Sequence, residues 1–128
     1  MSKVKKIFKW TLTSILGLFF INAGLAKFWG KGAEVWMNEF DKWGYPDNLY
    51  LIIGGLEAIG GLIMFFPKYA NKAIFVLVGI MLGACVTHLI NSEPSKAIVT
   101  LIIFSLLTIL LFLNKNIIKP HTQDNPQT

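Results

Sequence analysis

Apolar residues fill the chain in four runs, roughly 7–26, 49–66, 73–90 and 97–113. Each is close to the ~20 residues that an α-helix needs to cross a hydrocarbon core of about 30 Å. Backbone N–H and C=O groups in lipid must be paired within the chain, so the runs are predicted to be helices. The links after the second and third runs are short. "PKYANK" opens on the helix-stopping Pro67, and in "NSEPSK" Ser92 is placed to cap the fourth helix, with Pro94 in its first turn. Short links make consecutive helices antiparallel neighbours.

Residues 27–48, "KFWGKGAEVWMNEFDKWGYPDN", break the pattern. Ala33, Trp36, Met37, Phe40 and Trp43 recur at steps of three and four, with Lys31, Glu34, Asn38, Glu39 and Asp41 between them. This spacing predicts an amphipathic helix over about 33–43 lying in the membrane interface, where Trp rings settle. "GYPD" then turns the chain, and Asp47 or Asn48 caps the next helix. The interfacial helix either fixes the depth of the bundle or, through Trp36, Phe40, Trp43 and Tyr45, forms a lid over an outward-facing cavity. The expected architecture is an all-α membrane protein: a four-transmembrane-helix up-down bundle with this interfacial helix between helices 1 and 2. It makes one domain over 1–113, followed by a polar, disordered tail over 114–128.

Composition agrees with that reading. Apolar residues make up 54% of the chain and charged residues 15%, against roughly 25% charged in soluble domains. All twelve basic residues are Lys. Lys3, Lys5, Lys6, Lys9, Lys68, Lys72, Lys115 and Lys119 fall on one side of a four-span arrangement. Lys27, Lys31, Lys42 and Lys96 fall on the other, diluted by Glu34, Glu39, Asp41, Asp47 and Glu93. The bias of Lys toward the cytoplasm puts both termini there. The net charge of +5 thus reports topology, and no basic arm points to nucleic acid. The first run also has the basic, apolar and small-residue order of a signal peptide. Phe28 and Trp29 directly after the small residues, and the fit of four spans to the charge pattern, argue against cleavage. Cys85 is the single cysteine, so the chain carries no dithiol of its own.

"GGLEAIGG", residues 54–61, places an acid inside the second run. On a helix Glu57 shares its face with Tyr50, Ile53, Gly54, Gly60, Gly61 and Met64. Glycines let another helix approach closely, so this face is expected to point into the bundle. A lipid-facing carboxylate costs roughly 2.5–3.5 kcal/mol on insertion scales, so Glu57 needs a partner or a proton. Asn22, Lys27 and His88 lie at similar depth in the outer half, and Tyr50 and Thr87 complete the candidate polar cluster. Asn22 and Lys27 are five residues apart and point in different directions, so only one should face Glu57 squarely. On the third helix Gly79 and Gly83 form a small-residue pair that predicts a close neighbour on the flank away from His88. The fourth helix, with only Thr100, Ser105 and Thr108 as polar groups, reads as a peripheral wall.

"NAGLAKF", the aromatic stretch closing on "WGYP", "GGLEAIGGLIMFFP" and "MLGACVTHLI" resemble the DoxX family of small four-helix membrane proteins over about residues 12–112. The resemblance implies that Asn22, Lys27, Glu57 and His88 match the family's polar positions. It also implies a link to quinone-linked oxidoreductases and thiol-stress complexes. The chain itself supplies no cofactor; a quinone is the one the resemblance suggests. Two histidines for a haem are not on one side, since His121 is in the tail, and Glu57 with His88 is too small a ligand set for zinc. A Glu and a His in a low-dielectric pocket suit a proton relay or hydrogen bonds to a quinone head group, which makes Glu57 and His88 the catalytic candidates. Three functions remain open. One is an accessory or quinone-interacting subunit with a redox partner protein or a second copy of itself. Another is a small proton-coupled transporter, and the third is a non-catalytic assembly scaffold in which the polar cluster only clamps helices.

Overall fold

A computed structural model of the chain describes residues 2–123, with side chains through Lys115. Five helices account for it: α1 (Lys3–Leu25), α2 (Gly30–Lys42), α3 (Leu49–Ile63), α4 (Ala70–Ile90) and α5 (Pro94–Gln123), with no strand among the described residues. Three of them, α1, α4 and α5, are long and apolar enough to cross a membrane, whereas α3 is a shorter apolar helix. The expected helix over 49–66 thus ends early, because Phe66 N–H bonds to Ile63 C=O at 2.9 Å in a turn that leads into Pro67. Conversely, α5 runs past the expected end at 113 into the segment read as a disordered tail. Residues 124–128, and the side chains of Lys119 and His121, lie outside the described residues.

The helix ends follow local rules, with two departures from expectation. Ser2 caps α1 by accepting from Lys5 N–H at 3.2 Å. After α2, Gly44 takes φ +83°, Gly44 N–H bonds to Asp41 C=O and Tyr45 N–H to Phe40 C=O, both at 3.0 Å. That pair of bonds is a Schellman stop, which needs a left-handed residue and normally uses glycine. The same motif ends α4 without a glycine: Ser92 takes φ 58°, its N–H reaches Leu89 C=O at 3.3 Å, and Glu93 N–H reaches His88 C=O at 2.8 Å. Ser92 therefore closes α4 and does not cap α5. Asn48 stands at the start of α3 in the left-handed region, φ 71°, with no side-chain cap bond, and Asp47 makes none either.

Packing divides the bundle into two pairs. α1 lies against α3 through facing glycines: a Cβ on Gly61 would sit 2.7 Å from Gly17 O, and one on Gly17 would sit 3.1 Å from Gly61 O. Gly24 abuts the backbone of Gly54 and Ala58 in the same way. α4 packs along α5, with α3 touching α4 and α1 touching α5. Phe20, Ile74, Leu77, Leu107 and Leu110 are fully buried where the pairs meet. α5 thus supplies core residues and is more than a peripheral wall. Its Thr100, Ser105 and Thr108 hydroxyls donate to carbonyls of their own helix. Gly79 and Gly83 have no atom within 4 Å of a would-be Cβ, so the expected close neighbour on that flank of α4 is not there. Lys9, read as a flanking charge, is buried, its ammonium 4.2 Å from the centre of the Trp10 ring.

Candidate functional site

Glu57 finds its partner across the α1–α3 contact. Lys27, just past the end of α1, places Nζ 2.6 Å from Glu57 Oε1, and both residues are buried, at 2% and 5% exposure. The ammonium also donates to Ala23 O at 3.2 Å and lies 4.3 Å from the centre of the Trp36 ring. Room for the lysine stem comes from Gly54, where a Cβ would stand 3.0 Å from Lys27 Cβ. One glycine on the acid's own face therefore both allows the helices to close and admits the counter-charge. Asn22 is exposed and outside the cluster, as a position five residues from an inward-facing Lys27 should be.

His88 does not meet Glu57. Its Nδ1 lies 2.8 Å from Glu93 Oε1, because the Schellman stop folds Glu93 back over the last turn of α4. Glu93 Oε2 takes Lys42 Nζ at 2.9 Å, and Glu39 takes Lys96 Nζ at 2.7 Å. These ion pairs join α2 to the α4–α5 turn. The hydrogen bond from His88, reinforced by Lys42, holds the Glu93 carboxyl down at about 2. Pairing with Lys96 likewise lowers Glu39, and pairing with Glu93 raises the exposed Lys42. An ionised Glu93 can only accept, so in this hydrogen bond His88 Nδ1 is the donor.

Between the two helix pairs, beneath α2, is a cavity of about 970 Å³, at the upper end of the ~300–1,000 Å³ typical of small-molecule sites. Lys27, Glu57, Thr87 and His88 line it, as do Trp36, Phe40, Trp43 and Tyr45. The aromatic residues form a linked roof: Phe40 and Trp43 centroids are 5.4 Å apart, and Trp43 stands edge-on to the His88 ring at 5.3 Å. Tyr45 hydroxyl hydrogen-bonds Thr87 Oγ1, which tethers the roof to α4. Tyr50 is left out of the lining and packs against Phe40, centroids 6.3 Å apart. Cys85 is also outside it, its thiol 3.7 Å from Ala97 O. Glu93 was missed as a site residue. Its signal, "HLINSE", holds no glycine to announce the stop that brings it to His88. Among the described residues no group of three or more His, Cys, Asp or Glu side chains could hold a metal ion.

Long apolar helices around a roofed cavity define a multi-pass membrane protein embedded in the lipid bilayer, with a candidate binding site for a small molecule at one end of its bundle. The chain belongs to the DoxX-like family, whose model matches residues 11–110. No curated protein and no solved structure matches it significantly.

Proposed function

We propose that this protein is the quinone-binding membrane subunit of a redox system, with the quinone head group seated under α2 between Lys27 and His88. The observation that carries this reading is His88. Its Nδ1 is fixed by Glu93 and its ring lines a large, mainly apolar cavity. That leaves Nε2 to accept a hydroxyl proton or, once protonated, to donate to a carbonyl. Lys27 offers a second donor. The two donors, the aromatic roof and the volume fit a ring with oxygens at opposite edges. A chain with one cysteine has no dithiol, so in this reading electrons come from a partner protein.

The proposed topology has four antiparallel spans with α2 in the outer interface and both termini in the cytoplasm of a bacterial cell. Lys68 in the α3–α4 turn and Lys72 in the first turn of α4 share the charge pattern of Lys3, Lys5, Lys6 and Lys115, which supports it. α3, at ~1.5 Å per residue, is about 22 Å long, so its flanking turn completes the crossing.

The test is saturable quenching of tryptophan fluorescence by decylubiquinone, with the protein in lipid nanodiscs. The parent should bind and His88→Ala should lose binding at least tenfold. A parent that shows no saturable quenching sinks the reading. Proton flux in vesicles that is driven by a substrate and abolished by Glu57→Gln would replace it with a transporter.

A further inference from the structure

Apart from Gly55, whose Cβ would stand in ordinary contact with Phe28 at 3.8 Å, the membrane glycines fall into two groups. Gly17, Gly24, Gly54, Gly60 and Gly61 each press on a neighbouring helix, where a Cβ would come within 3.2 Å of its atoms. Packing explains them. Gly79 and Gly83, one turn apart on α4, meet nothing within 4 Å, are exposed, and yet line the cavity. Each weakens its helix relative to Ala, with no contact in return.

The cavity they border carries charged groups at two heights: His88 beneath α2, and the Lys27–Glu57 pair of α1 and α3 one turn above the Gly60–Leu77 contact, level with Gly79 and Gly83. From Thr87 the lining follows α4 past Gly83 and Gly79 to Val76, a distance of about 16 Å at ~1.5 Å per residue. At that far end it meets only apolar side chains, Phe19 of α1 and Ile103 of α5 among them. Val76 is 46% exposed and Phe19 44%, so this end opens sideways to the surroundings of the helices, which in a membrane are lipid tails. A site with polar groups for a head and an apolar end open to lipid is matched to one shape of ligand.

We infer that the cavity takes a single-chain amphiphile whose apolar tail lies over Gly79 and Gly83 and leaves the bundle sideways into the bilayer. The two glycines keep the tail path clear, and the ligand reaches the site from lipid without crossing α2. This rests on the reading that the cavity binds a quinone-like head group, and adds the tail and the route.

The experiment compares decylubiquinone with its tail-less parent, 2,3-dimethoxy-5-methylbenzoquinone, by saturable tryptophan quenching in nanodiscs. In the parent protein the decyl compound should bind at least tenfold more tightly. Gly79→Leu and Gly83→Leu, which add apolar bulk where no atom stands nearby, should remove that advantage and leave the tail-less compound unchanged. Gly79→Ala should give a smaller loss in the same direction, and Val86→Leu, exposed on α4 outside the cavity, none. Equal binding of the two probes by the parent, or glycine variants that weaken both alike or neither, overturns the tail path while the head-group reading stands. A parent that binds neither probe overturns both.

Discussion

Replacing Glu57 with Leu strips the buried Lys27 ammonium of its counter-charge. At 2.6 Å and an effective dielectric constant of about 20, the attraction between the two is roughly 6 kcal/mol. Desolvation offsets much of that gross figure, since the side chains are only 3% and 7% exposed. The cost of removing one partner is a different quantity, because the other stays buried and unpaired; such losses run at about 3–5 kcal/mol. Lys27 sits near a helix end and can turn its head toward the interface, which places the expected loss at the lower limit, about 3 kcal/mol. That is roughly a hundredfold in the unfolding constant. Lys27→Met should cost a similar amount, whereas Lys27→Met with Glu57→Leu should be close to the parent, because no lone charge remains. Reversible unfolding in mixed micelles at increasing SDS mole fraction, followed by circular dichroism, measures all four proteins. A Glu57→Leu protein within about 0.5 kcal/mol of the parent, or a double variant as unstable as the two single losses added together, would refute the reasoning.

Acid should act through Glu93. Its carboxyl lies at about 2 against an ordinary value near 4.5, so the folded chain binds fewer protons than the unfolded one. This contribution is present above 4.5 and lost as pH falls toward 2; thermal unfolding of Glu93→Gln should show a shallower decline across that window, and an unchanged profile would contradict the pairing. The glycines should divide by context. Gly61→Ala forces a Cβ to 2.7 Å from Gly17 O and should cost about 1–3 kcal/mol by the same unfolding assay, while Gly79→Ala should stabilise by up to about 1 kcal/mol. Lys42→Ala with Lys96→Ala removes the ion pairs that join α2 to the α4–α5 turn. Exposed pairs are weak, so hydrogen exchange across Gly30–Lys42 should quicken by only about one order of magnitude with α1 unchanged.

Much of this protein was legible one helix at a time. Apolar run lengths located the long helices, the three- and four-residue steps of Trp36, Phe40 and Trp43 located α2, and glycine spacing turned Glu57 inward. All of these depend on residues within a turn or two of each other, and the helix repeat fixes their geometry whatever the rest of the chain does. Partners across helices depend on rotation and stagger, which no single helix contains. The close approach of Gly17 to Gly61 and of Gly24 to Gly54 sets α1 against α3 so that Lys27, and not Asn22 or His88, arrives at Glu57. A left-handed Ser92, with no glycine to mark it, hands His88 to Glu93. Gly79 and Gly83 carry the same small-residue signal as the packing glycines, yet face open space. Sequence determined that a polar group had to be enclosed here; only the packing of the two helix pairs decided which charge answers it and that a cavity lies alongside.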